Sequence, residues 1–312
     1  MEQRKRKSRY RRLPVGERQP IRLSDKDSDI LKLFAPDQYN YLTAELVAAA
    51  TDRPINRVQH RLRQLYDNGY LQRYHPPHER IGGSTKVVYL LDLGGAKILT
   101  EYFQKPVNPN RNFDLDSYHP FMEHTLLTNR FRVLVNAACR ERSDIDIPYQ
   151  YPDDHFSIRF KHPGYKAEFN IDPDFFFGFK IGDRPINNFF VEVQRPTRKT
   201  KESSSQQVKD IKRKLLAYFL FWKAQAYRNG NIAKSFPNVS NWKDMRVLIV
   251  TDTGEQEHEN FIRLVRKIDK RGRGVRLFLF ARETDFTSTK YGVFGTVWCT
   301  PVEGDTKYSI LN

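Results

Sequence analysis

The stretch Phe175–Gln194, FFFGFKIGDRPINNFFVEVQ, is apolar on both sides of any strand drawn through it. Strand side chains alternate between faces. One face then carries Phe175, Phe177, Phe179, Phe189, Val191 and Val193, and the other carries Phe176 and Phe190. Neither face can be left in water, so the hairpin belongs inside a sheet with layers on both sides. Gly182, Asp183, Arg184 and Pro185 supply turn chemistry. Pairing Lys180 with Ile186 leaves a loop over 181–185, a permitted hairpin length. This register sets Asp174 opposite Glu192, on the face shared by Phe176, Phe190 and Gln194, with Cβ atoms about 5 Å apart.

Two desolvated like charges so placed repel. Either one carboxyl holds a proton or a cation sits between them. Two carboxylates and a backbone carbonyl suit a hard divalent cation, which activates water and neutralises charge building on a phosphate.

The flanking segments read as a layered α/β order, helix-strand-strand-strand-helix-strand-helix-strand. The first helix, in YHPFMEHTLLTNRFRVLVNAACRER, has the stripe Leu127, Phe131, Leu134, Val135 and Ala138. Its spacing places Glu123 and His124 on the inward face. A strand follows around Asp146–Arg159. After the hairpin come the loop RPTRKTKESSSQQ and the long helix QVKDIKRKLLAYFLFWKAQAYR, on which Lys214 and Tyr218 share a face. The strand MRVLIVTD, the helix EQEHENFIRLVRKIDKRG and the strand VRLFLFAR complete the order. Tyr218 reads as core packing.

The first hundred residues read as three helices, a hairpin and a helix. Ser24 and Thr43 are helix caps, and Ile55, Val58, Leu62 and Leu65 form the buried stripe of the third helix. Its other side shows Arg53, Asn56, Arg57, His60, Arg63 and Gln64, a donor-rich face suited to phosphates and base edges. The pattern VQHRLRQLYDNGYLQR, followed by strands around a tip with Gly82 and Gly83, resembles a winged helix-turn-helix domain over 20–104. Arg80 and Lys86 of the wing join the expected DNA contacts. Residues 1–19 read as a disordered basic arm and 105–116 as a linker.

Charge agrees with a polyanion partner. The formal net charge is +16, of which residues 1–12 carry +6, so the body of the chain is basic as well. Two distant cysteines without a CxxC exclude a structural zinc, and no glycine-rich phosphate cradle calls for a nucleotide. No long apolar run spans a membrane and no apolar segment follows the basic start, so a cytoplasmic protein is expected.

IDPD, a hairpin and VEVQ before a long helix resemble the PD-(D/E)XK nuclease superfamily. The resemblance implies an α/β restriction-endonuclease-like domain with a mixed central sheet over 117–312, behind an α+β winged helix. It implies Asp174 and Glu192 as ligands of Mg²⁺ or Mn²⁺, with Glu123 as a third acidic contributor. Gln194 stands where the superfamily usually has lysine. It donates a hydrogen bond without charge, so Lys214 becomes the candidate replacement. Arg195, Arg198, Lys199 and Lys201 would hold the DNA backbone. With the winged helix in front, YLTAELVAAAT, NRVQHRLRQLYDNGYLQR, MEHTLL, DPDFFF, FFVEVQRPT and KLLAYF are similar to the replication-relaxation family, which is MOBC-type relaxase-like. That similarity implies a metal-dependent endonuclease or nickase in plasmid or integrative-element mobilisation or replication. Its partners would be double-stranded DNA, relaxosome or replication proteins, and a second copy in a homodimer. The alternative is a non-catalytic accessory or regulatory DNA-binding protein with a degenerate nuclease fold.

Overall fold

The structure, a computed structural model, describes residues 12–75, 87–109, 120–152, 155–194, 201–228, 236, 239, 244–252, 255–270, 272, 274, 276–287, 292–302 and 307–311. Among these residues the fold is mixed α/β, with eight α-helices and a mixed five-stranded sheet. The chain divides into two compact units, Met1–Val133 and Leu134–Asn312.

The first unit contains α1 (Asp25–Leu33), β1 (Leu42–Thr43), α2 (Ala44–Thr51), α3 (Ile55–Asp67), β2 (Leu71–Tyr74), β3 (Val88–Leu91) and α4 (Leu93–Phe103). Its strands pair antiparallel in the order β1-β3-β2. Ser24 caps α1 in a reciprocal box with Asp27, and the Thr43 hydroxyl accepts from Leu46 N at the start of α2. Helix α3 buries Val58, Leu62 and Leu65 against Ile30, Leu31, Phe34 and Val47. It ends at Gly69, whose φ of +81° is a conformation that other residues avoid. The division between units falls within α5 (Pro120–Arg140). Early in that helix, buried Asn129 donates to Tyr41 O (2.9 Å) and Arg132 donates to Gln38 O (2.7 Å), satisfying carbonyls of the loop before β1.

The second unit is built on one sheet of order β10-β9-β8-β7-β4. Its strands are β4 (Ile145–Pro152), β7 (Phe175–Ile181), β8 (Asn187–Gln194), β9 (Met245–Thr251) and β10 (Phe278–Arg282). β4, β7 and β8 pair antiparallel, whereas β8, β9 and β10 run parallel. The hairpin register is Phe175↔Val191 through Phe179↔Asn187, as the alternation of apolar residues requires. Both faces are buried. Phe176 and Phe190 pack under α6 (Lys201–Lys223), with Leu215, Tyr218 and Phe221, and α7 (Glu255–Ile268) adds Val265. On the other face Phe175, Phe177, Phe179 and Phe189 form a ladder of stacked rings with centroids 5.2–6.4 Å apart.

The single strand expected around Asp146–Arg159 is in fact two. After β4 the chain forms β5 (Ile158–Lys161), which pairs with β6 (Glu168–Ile171) in a separate ribbon. Its apolar side, Ile158, Phe169 and Ile171, joins the α6 core. Two four-residue strands with polar alternate positions give little sequence signal, and tertiary burial decides them. A short α8 (Glu283–Thr287) follows β10.

Gly178 lies in β7 opposite Asn188, and a Cβ there would collide with the ring of Tyr149. That ring is stacked on Phe176 and its hydroxyl donates to Asn188 Oδ1, so it has nowhere to go. Gly178→Ala is therefore expected to destabilise the second unit by about 1–3 kcal/mol, measured by urea denaturation. Unchanged stability would show that the Tyr149 pocket yields.

Candidate carboxylate–lysine site

Continuing the β7–β8 register by one step sets Asp174 beside Glu192, at the end of the sheet where parallel strands β8, β9 and β10 finish. Ligand sites of α/β sheets form at such carboxyl ends. Asp174 Oδ2 accepts from Val193 N at 2.7 Å, and Asp174 N donates to Val191 O at 3.1 Å. These two bonds hold the carboxylate against the neighbouring strand. Glu192 is 2% exposed, with Ile249 of β9 as its register partner.

Helix α6 supplies the rest. Tyr218, wholly buried, donates its hydroxyl to Glu192 Oε1 at 2.5 Å. Lys214, one turn earlier, places Nζ 2.5 Å from Glu192 Oε2 and 3.8 Å from Asp174 Oδ1. Oε2 thus has a compensating charge, although it has no hydrogen-bond donor of regular geometry. A small cavity of about 10 Å³, room for about one water, lies against Glu192, Gln194, Lys214, Ile211, Leu215, Ile249 and Phe261.

Burial pushes the Glu192 carboxyl up to about 7, with Asp174 adding to the rise, while Lys214 and Tyr218 oppose it. Desolvation and the Glu192 charge push the Tyr218 phenol well up, so it stays a donor. Gln194 is half-buried on the same strand face as Glu192, and its carbonyl accepts from Asp252 N at 3.0 Å. Its neighbour across the ladder is Thr251, whose hydroxyl meets His258 Nδ1 at 2.9 Å. The Thr251–His258 pair was not anticipated: each residue sits alone in an ordinary strand or helix pattern. Tyr218 does pack in the core, but it also holds the carboxylate.

The structure brings together Asp174, Glu192, Gln194 and Lys214, but Glu123 differs from expectation. It belongs to the first unit and is exposed rather than inward, because the first turn of α5 buries its neighbour Met122. Among the described residues no group of three or more His, Cys, Asp or Glu side chains gathers as a metal cluster. The ligands that are present fit a hard cation: two carboxylates, Asp174 and Glu192, set side by side in the ladder. The Lys214 ammonium supplies the same neutralisation at this place.

In the first unit the expected donor face divides. Asn56, Arg57 and His60 are exposed. Arg53 donates to Lys26 O (3.0 Å) and lies 3.8 Å from Asp29. Arg63 pairs with Asp67 at 2.7 Å, and Gln64 accepts from Arg61 at 2.8 Å. Arg80, Lys86, Arg195, Arg198, Lys199 and the side chain of Lys201 lie outside the described residues.

The replication-relaxation family profile matches residues 37–239, about two thirds of the chain. The chain belongs to that family. The replication-relaxation match includes α3, the β7–β8 hairpin and α6, and therefore all four clustered side chains. It ends before β9, whose Ile249 lies beside Glu192 in the ladder. No curated protein and no solved structure matches the chain. No described helix is long and apolar enough to cross a membrane.

Because the folded Glu192 binds its proton more tightly than the unfolded one, its contribution to stability is present at low pH. That contribution is lost as pH rises from about 4.5 to about 7. Glu192→Gln removes the dependence, which amounts to up to about 3 kcal/mol. Urea titrations across that range should show wild type losing more stability with rising pH than the variant. Parallel curves would mean that the carboxyl titrates normally.

Proposed function

We propose that this replication-relaxation protein is a DNA-binding, Mg²⁺- or Mn²⁺-dependent endonuclease or nickase serving replication or mobilisation of a mobile element. In this reading the first unit is a winged helix-turn-helix and the second a restriction-endonuclease-like domain. The observation that carries it is the meeting of Asp174, Glu192 and Lys214 at the carboxyl end of a mixed sheet. Family membership supplies the biological setting.

Asp174 and Glu192 would hold the metal, which when bound supplies a polarised water and a counter-charge for the phosphate. Tyr218 fixes Glu192 through Oε1 and leaves Oε2 facing Lys214. The β8 backbone fixes Asp174 through Val193 N. Lys214 would carry the positive charge that the superfamily lysine carries, approaching from α6 instead of β8, and Gln194 would add a neutral donor beside it. In the first unit, Asn56, Arg57 and His60 form the exposed part of α3 that would meet the duplex.

One observation favours the non-catalytic alternative. Lys214 already neutralises the pair, so the site persists without metal as a buried ion cluster. The readings separate by experiment. A catalytic site predicts a Mn²⁺-dependent rise in melting temperature, worth about 2.7 kcal/mol at a hundredfold excess over Kd, and metal-dependent nicking of supercoiled DNA. Asp174→Asn, which keeps an acceptor for Val193 N, should abolish both and leave duplex binding intact. A wild-type melting curve that ignores Mn²⁺, with no nick on supercoiled or linear substrates, would establish the accessory-protein reading.

Arg57→Ala should weaken duplex binding by about 1–3 kcal/mol, measured by fluorescence anisotropy. Equal affinity would move the DNA-reading surface off α3.

A further inference from the structure

Three arginines converge on one tyrosine ring in the first unit. The guanidinium carbons of Arg12, Arg63 and Arg73 lie 4.9, 5.4 and 5.2 Å from the centre of the Tyr66 ring. Arg73 also lies 5.8 Å from the ring of Tyr89, its register partner across β2–β3. Stacking on aromatic faces orients a guanidinium but removes none of its charge.

Two of the three have carboxylate partners. Arg12 pairs with Asp92 at 2.6 Å and donates to Leu71 O at 3.0 Å, whereas Arg63 pairs with Asp67 at 2.7 Å. Among the described residues Arg73 lies over the two rings and forms no ion pair, and its Nε and Nη1 are buried without a hydrogen-bond partner. A guanidinium left unsatisfied beside two others is costly, and such a group calls for a partner that arrives from outside. The local field is positive: burial, then Arg73 and Arg63, hold the neighbouring His75 down at about 4, so it stays neutral.

Arg12 is also the last residue of the basic run Arg4, Lys5, Arg6, Lys7, Arg9, Arg11 and Arg12.

We propose that Arg73, held between Tyr66 and Tyr89 and flanked by Arg12 and Arg63, is a seat for a backbone phosphate of DNA. The proposal rests on the reading that the first unit binds DNA. It adds a contact on β2 that is separate from the exposed face of α3. Arg73 is half-buried rather than enclosed, and a phosphodiester oxygen accepts a charge-assisted hydrogen bond from a guanidinium. Among the described residues no carboxylate pairs with Arg73.

The test is anisotropy of a fluorescein-labelled mixed-sequence duplex with the full chain over a range of salt concentrations. Arg73→Ala should bind about tenfold more weakly, and its log–log salt slope should be shallower by about 0.9. Arg73→Lys should recover the slope, because it keeps the charge. The melting temperature of Arg73→Ala should not fall, since the variant loses an unsatisfied buried donor. Affinity and slope equal to wild type for Arg73→Ala, while Arg57→Ala is weakened, would overturn the seat and leave the DNA reading standing. A lowered melting temperature with unchanged binding would make Arg73 a packing residue and overturn it equally. Competition by inorganic phosphate at constant ionic strength would make the seat a free-phosphate site and overturn the DNA assignment. If the wild type binds no duplex at all, the underlying reading falls and the seat falls with it.

Discussion

The burial of the β7–β8 hairpin on both faces is the constraint on which the second unit depends. Phe176 and Phe190 need a cover, and α6 provides it. The same helix face then carries Lys214 and Tyr218 to Glu192, because residues four apart on a helix lie one above the other. Tyr218 meets Phe190 through its ring (5.3 Å) and Glu192 through its hydroxyl. The core and the charged site are thus one packing problem. A shift of α6 that spoiled the apolar contact would also strand a buried carboxylate.

A buried carboxylate is costly unless compensated, and an ion pair in the interior regains little beyond its own desolvation. Glu192 is an example: an ammonium 2.5 Å away and a phenol donor do not bring its carboxyl back to an ordinary value. The perturbed carboxylate stands at the carboxyl ends of parallel strands. The family match ends before β9, yet β9 lies beside the site. The charged groups therefore lie inside the matched range, and the strand beside them lies outside it.

The first unit manages charge in the opposite way. Its basic residues outnumber what its surface acids can hold, and helical geometry settles which are held. Arg63 meets Asp67 one turn on, whereas Arg57 and His60 have no acid at that spacing and stay exposed. Asp27, deep in the capping box of α1, takes Arg61 at 2.6 Å. Of the donor face read from α3, Asn56, Arg57 and His60 are exposed, whereas Arg53, Arg63 and Gln64 bond within the protein.

Much of this was legible in the chain. Phenylalanine on both faces of FFFGFK and NNFFVEVQ forces a central hairpin, and the period of two fixes which residues share a face. The pairing of Asp174 with Glu192 therefore followed from the sequence alone. So did the stripe of α3, its glycine stop, and the four-residue spacing of Lys214 and Tyr218. Long-range matters were decided only by the tertiary structure. The β5–β6 ribbon is too short and too polar to announce itself. Glu123 turns outward because the first turn of α5 buries Met122. Arg73 looks like any strand arginine until Tyr66, Tyr89, Arg12 and Arg63 close around it. Local periodicity sets which way a side chain points along its own element. What it meets depends on elements tens of residues away, and that is settled by which apolar faces must be covered together.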